Sequence, residues 1–176
     1  MVVNYNDLEI IRKNNKNKKI AICRGTFDLF HYSHLMLFKY IKDQVDVLVV
    51  VVKSDKDVKT KKKDRPIINE KERIEIVDSI KYVDYTILAS ETHTTNLINS
   101  VIENNLFSEK EIYKLKRDGY ILEKVKPDFI YNTSEYNIAN TTRIMCNNLN
   151  IQIKNIPVQG NGVHTTDIIN KIGNNY

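Results

Sequence analysis

From Ile20 onward, short runs rich in β-branched residues alternate with stretches in which apolar residues recur every three or four positions. That alternation is the pattern of a parallel α/β sheet. Five runs read as strands: Ile20 to Cys23, Val45 to Val52, Val83 to Leu88, Phe129 to Tyr131 and Ile151 to Ile156. The near-unbroken Val/Ile runs suit strands covered by helices on both faces. Between them, Leu35, Leu37, Phe38 and Ile41 mark one helix. A second carries Ile74, Val77 and Ile80 and opens with a capping box, Asn69 as N-cap and Glu72 three residues on. Ser108 and Glu111 repeat that device, and Gly119 reads as a stop signal, so residues 109–117 are expected to form an extra short helix. The lysine-rich tract from Lys59 to Asp64 has no apolar residue and reads as a loop.

This pattern predicts an α/β fold: a single Rossmann-like domain over residues 18–176, about five parallel strands with helices on both faces. Residues 1–17 are expected to be a poorly constrained N-terminal extension. At 41% hydrophobic and 28% charged residues, the composition excludes disordered and fibrous classes. No apolar run approaches the roughly 20 residues of a membrane helix. The N-terminus lacks the basic-then-apolar pattern of a secretory leader, so a cytoplasmic protein is expected. Twenty-seven Lys and Arg against 22 Asp and Glu leave a net charge of +5, which favours anionic partners, with phosphates, nucleic acid and acidic lipid all candidates. Cys23 and Cys146 form no C-x-x-C pair and read as reduced thiols, Cys23 in the core.

Candidate chemistry gathers directly after the first strand, in Arg24-Gly25-Thr26-Phe27-Asp28-Leu29-Phe30-His31-Tyr32-Ser33-His34. A strand, a glycine turn and a helix start form an anion-binding geometry, because backbone N–H groups and the helix dipole favour negative charge there. His31 and His34, three residues apart, can donate to the same anion. As a zinc site the pair lacks a third ligand at suitable spacing. Asp28 also fits simple turn chemistry, fixing the loop through its amides. Arg73 and Lys42 fit solvated helix faces, and Thr165 and Thr166 fit a helix cap.

The segment resembles the cytidylyltransferase branch of the nucleotidyltransferase superfamily, whose signature is a strand followed by G-x-F-D-x-x-H-x-G-H; Ser33 stands where that signature has glycine. The likeness continues in order through Val52-Lys53-Ser54-Asp55, the segment Arg65-Pro66 to Val77, Lys81-Tyr82-Val83-Asp84 and Val163-His164-Thr165-Thr166-Asp167-Ile168-Ile169. Two stretches depart from it. Val158-Gln159-Gly160-Asn161-Gly162 lacks the family's arginine, and Asn132 to Tyr136 carries one carboxylate in place of an acidic cluster.

The resemblance implies transfer of a cytidylyl group from CTP to a small phosphorylated alcohol of the glycerol 3-phosphate, phosphocholine or phosphoethanolamine type, with release of pyrophosphate. It implies His31, His34, Lys42 and Arg73 as catalytic residues. Nucleotide binding would fall to Arg24, Gly25, Thr26, Phe27, Asp28, Ser33, Val163, His164, Thr165 and Thr166. Mg²⁺ would accompany the triphosphate without a dedicated protein cage, and a homodimer is expected. Two alternatives stand beside it: an adenylyltransferase using ATP on a sugar phosphate or FMN, and a catalytically weak nucleotide-binding or assembly protein.

Overall fold

The computed structural model of the protein describes residues 1–61, 63–133, 137–157 and 164–173. Five strands form one sheet: β1 (Ile20–Gly25), β2 (Val47–Lys53), β3 (Tyr85–Ala89), β4 (Phe129–Thr133) and β5 (Gln152–Ile156). Their order is β3-β2-β1-β4-β5, and every neighbouring pair is parallel. The five are the runs expected from the sequence. The order in which strands are added reverses between β1 and β4, the place where folds of this kind open a crevice at the carboxyl ends of the two strands.

Nine helices are seen among the described residues: α1 (Leu8–Asn14), α2 (Tyr32–Lys42), α3 (Asp55–Lys59), α4 (Glu70–Asp78), α5 (Asn96–Glu103), α6 (Glu109–Lys114), α7 (Tyr120–Val125), α8 (Asn140–Asn148) and α9 (Thr165–Gly173). Side chains alternate along a strand, so the sheet feeds two cores. Ala21, Cys23, Leu48, Val50 and Val52 face α2 and α4, packing with Phe38, Ile41, Ile74 and Val77. Ile20, Ile22, Val47, Val49 and Val51 face the other way, onto Leu8, Ile11, Ile98, Ile121, Val125 and Met145. Both cysteines are free and buried, and burial pushes the Cys23 thiol up to about 12 and that of Cys146 up to about 11.

Asn69 and Ser108 cap their helices where the sequence places them: the Asn69 side chain accepts from the amides of Lys71 and Glu72, and Ser108 forms the full reciprocal box with Glu111, whereas among the described residues the Glu72 side chain returns no bond to the Asn69 amide. Gly119 is not a stop. The chain widens into a π-helical turn, Leu115–Gly119, and runs on into α7. A Cβ on Gly119 would stand 3.3 Å from the Met145 side chain, so this glycine permits close approach to α8. The true end is Lys126, in the left-handed region at φ 48°.

Residues 1–17 are firmly held, contrary to the expectation of a poorly constrained segment. Val3, Tyr5, Leu8 and Ile11 are buried in the core on the α1 face. Val2 bridges Thr86 in parallel on the outer edge of β3, and the Val3 N–H donates to the Thr86 carbonyl at 2.9 Å. Arg12 fastens α1 to the chain entering β4, donating to the Lys126 carbonyl and, at 2.9 Å, to Asp128 Oδ2. Among the described residues, no helix is long and apolar enough to cross a membrane.

Candidate functional site

The loop leaving β1 is tightly folded. A Cβ on Gly25 would lie 2.6 to 2.9 Å from the Phe27 ring, so only glycine lets that ring fold back over the strand end. Phe27 and Leu29 have φ of 55° and 45°, a region that costs a side-chain-bearing residue about 1–2 kcal/mol. Other contacts must hold such a loop. Asp28 supplies them: Oδ2 accepts from Arg65 Nε at 2.8 Å and the Ile67 amide at 3.0 Å, and Oδ1 accepts from the Ile68 amide at 2.9 Å. Burial alone would raise this carboxyl, but the two amides and the Arg65 guanidinium outweigh it and hold it below its ordinary range. Asp28 is therefore a clamp that fixes the turn through loop amides, and it is almost wholly buried.

The histidines sit at the start of α2. His31 is the N-cap; its amide donates to His34 Nδ1 at 3.4 Å, and the two rings stack with centroids 3.9 Å apart. His34 also meets Phe27 edge-on at 5.3 Å and Phe30 at 5.4 Å. Burial, followed by the charge of His31, pushes His34 down to about 3, while burial and then His164 lower His31. Both rings are thus neutral near pH 7, able to donate N–H to an anion without carrying charge of their own. Among the described residues, His31 Nδ1 is buried with no hydrogen-bond partner.

The amino end of α9 closes the site from the other side. Thr165 Oγ1 donates to the Asp28 carbonyl at 3.0 Å, and the His164 amide donates to Asp167 Oδ2 at 2.8 Å. Thr166 is exposed beside them. The structure therefore brings Gly25 to His34, Arg65 to Ile68 and His164 to Thr166 together at the carboxyl end of β1. The starts of α2 and α9 and two neutral imidazoles make this mouth suited to phosphate.

Three residues expected at the site lie elsewhere. Lys42 is at the far end of α2, donating to Asp84 Oδ2 at 2.6 Å beside the amino end of β2; a helix face fixed by spacing does not say which end of the sheet it reaches. Arg73 is fully buried. Its guanidinium donates to the carbonyls of Thr26, Lys53 and Ile68 and to Asp55 Oδ1 at 2.7 Å, so it braces the loop from beneath and is closed to a nucleotide. Arg24 follows Cys23 on β1 and so points to the opposite layer, where Nη2 pairs with Asp118 Oδ2 at 2.8 Å. Phe27 is core, packed on Phe38 at 5.1 Å, and Ser33 is buried in the first turn of α2. Val163, Ser134 to Tyr136 and the stretch Val158 to Gly162 lie outside the described residues. The sequence does not by itself mark Arg65 as a site residue. Its signal was its place in the resembling Arg65-Pro66 segment, and its partner Asp28 lies 37 residues away.

A separate cleft of about 400 Å³ between α1 and α7, lined by Glu9, Arg12, Lys13, Lys16, Glu123, Lys124 and Lys126, contains none of these loop residues. Among the described residues, no group of three His, Cys, Asp or Glu side chains could hold a metal ion.

Residues 22–171 match the family described as cytidylyltransferase-like. Among curated proteins, the chain is 38% identical over 95 residues to the bifunctional protein HldE of Desulfatibacillum aliphaticivorans, covering 53% of this chain and 19% of that protein. It is 28% identical over 135 residues to HldE of Campylobacter fetus subsp. fetus (strain 82-40), covering 75% of this chain and 30% of that protein. The chain thus spans less than a third of the length of these curated relatives. Among solved structures, it resembles the lipopolysaccharide core biosynthesis protein from Thermoplasma volcanium GSS1, with 25% identity and a TM-score of 0.54, covering 81% of this chain and 98% of that one. It shares its fold with the pantoate-beta-alanine ligase of Francisella tularensis, with 18% identity and a TM-score of 0.58, covering 99% of this chain and 77% of that one.

Proposed function

The chain belongs to the cytidylyltransferase-like family, and on that premise we propose that it transfers a nucleotidyl group from a nucleoside triphosphate to a small phosphorylated acceptor, releasing pyrophosphate. One observation carries the reading: the stacked, neutral pair His31 and His34 stands at the start of α2, on a loop clamped by Asp28 and faced by the amino end of α9.

In the proposed step, an acceptor phosphate oxygen bonds to the α-phosphorus while the bond to the α–β bridging oxygen breaks, and pyrophosphate leaves with the electron pair. The nucleophile arrives ionised, so no side chain need form a covalent intermediate. The protein's work is to hold two anions in line and to stabilise charge on the phosphoryl oxygens. The imidazole N–H groups of His31 and His34 donate to the triphosphate. The loop amides and the start of α9, with Thr165 and Thr166, receive the departing phosphates. Arg65 and Arg73 hold the loop in position. Mg²⁺ enters with the triphosphate as part of the substrate, and no step is assigned to a protein-held metal.

The ordered motif likeness supports CTP as donor and an acceptor of the glycerol 3-phosphate, phosphocholine or phosphoethanolamine type. A second reading, adenylyl transfer from ATP to a sugar phosphate, is favoured by the 25% likeness to a lipopolysaccharide core biosynthesis protein, since such a core is built of sugars. Pyrophosphate release, measured with CTP and ATP against a panel of phosphorylated alcohols and sugars, separates the two. On the productive pair, His31→Ala and His34→Ala should each lower turnover by roughly 10²–10⁴-fold with the fold intact. Unchanged turnover in either variant overturns the assignment of that histidine. We also propose a homodimer, which light scattering would report as twice the 20.6 kDa chain mass.

A further inference from the structure

On the layer opposite the histidines, β1 and β2 carry charge at their carboxyl ends where their preceding residues are apolar. Arg24 lies across from Val51, and Lys53 follows Val51 by two residues, so both side chains leave the same face of the sheet. The π-helical turn brings Arg117 and Asp118 against them. Asp118 forms an ion pair with Arg24 at 2.8 Å and accepts from Arg117 Nε at 2.7 Å, and Arg117 also pairs with Asp57 of α3. Two guanidiniums thus meet two carboxylates. Lys53 is the charge left over: among the described residues, its ammonium has no hydrogen-bond or ion-pair partner. Burial, followed by the charges of Arg24 and Lys61, pushes it down to about 8, with Arg117 adding to the effect and Asp118 opposing it.

A half-buried ammonium crowded by two other cations is a place where an anion is favoured. We propose that Lys53 and Arg24 form a second anion subsite that holds the phosphate of the acceptor. The inference rests on the nucleotidyl-transfer reading, which needs a second anion near the first and does not say what holds it. The two subsites flank the same strand end, with the triphosphate on the α2 layer and the acceptor on the layer of the π-helical turn. A phosphate monoester suits the place, since one ammonium and the free edge of one guanidinium can share its oxygens.

Calorimetric titration with inorganic phosphate, and separately with CTP and ATP, tests this on wild type, Lys53→Met, Lys53→Arg and the double variant His31→Ala/His34→Ala. Lys53→Met should weaken phosphate binding by at least about tenfold and leave nucleotide binding within about threefold. Lys53→Arg should keep both, and the double histidine variant should lose nucleotide while keeping phosphate. Removing a half-buried charge that two cations crowd should not lower the Tm of Lys53→Met. If that variant nevertheless fails to fold, Arg24→Gln, which leaves Asp118 paired with Arg117, should show the same loss of phosphate. Wild-type phosphate affinity in Lys53→Met, loss of phosphate only in the histidine variant, or no phosphate binding by wild type overturns the subsite. Lys53-dependent phosphate binding in a protein that binds neither CTP nor ATP overturns the transfer reading and leaves the anion subsite standing.

Discussion

His34 shows how packing, with a neighbouring imidazole adding to it, sets a protonation state. Wedged among Phe27, Phe30 and the His31 ring, it is held neutral far below the usual imidazole range. The unfolded chain takes up a proton at this residue below about pH 6.5, whereas the folded chain refuses it until about 3. Protons therefore favour the unfolded state across that window, and stability falls as pH drops through it. Between pH 7 and 5 this one group should cost about 2 kcal/mol. Urea unfolding at the two pH values should show wild type losing more than His34→Gln by that margin; equal losses would mean the ring is freely solvated. The pair itself was legible in the sequence, because strand, glycine and H-x-x-H lie within one short window. Its neutrality was not, because it depends on aromatic contacts created by the left-handed turn at Phe27 and Leu29.

At the scale of elements, α4 gains a role that its sequence did not announce. Arg73 looks like one more charged residue on an amphipathic helix, yet it reaches under the β1 loop and joins Thr26, the end of β2, the start of α3 and Ile68. Arg73→Met leaves three partly buried carbonyls and Asp55 without this donor, so it should lower stability by about 3–5 kcal/mol in urea unfolding. Lys42→Ala breaks a partly exposed pair with Asp84 and an exposed bond to the Asp46 carbonyl, together expected to cost about 1 kcal/mol or a little more. It should leave turnover within about twofold of wild type, since Lys42 stands at the other end of the sheet. A large fall in turnover would return Lys42 to the site. Strand positions were readable because a continuous β-branched run has one meaning. The helix ends were less so: Gly119 carries the same signal whether it stops a helix or lets Met145 approach.

At the scale of the whole molecule, the two sheet edges are protected differently. Along β5, Gln152, Lys154 and Asn155 are exposed and polar, a pattern that discourages pairing with another sheet. The β3 edge is covered by the chain's own first residues. Deleting residues 1–17 would uncover that edge and remove Val3, Tyr5, Leu8 and Ile11 from the core, at about 1.5–3 kcal/mol each. That sum rivals the whole stability of a typical domain, so the truncated chain should fail to show a cooperative thermal transition by circular dichroism. The Leu8 and Ile11 spacing was present in the sequence, but no local signal tells a packed arm from a loose one. The Asp28 clamp has a consequence in time as well as in space. Because one carboxylate and its own carbonyl tie Arg65, Ile67, Ile68 and Thr165 to a strained turn, none of these segments can open without releasing the others. Hydrogen exchange should find the amides of Ile67, Ile68 and the first turn of α9 opening as one cooperative unit. Asp28→Asn should speed them together while leaving the β1–β2 ladder slow, and a bound triphosphate should quiet all of them at once.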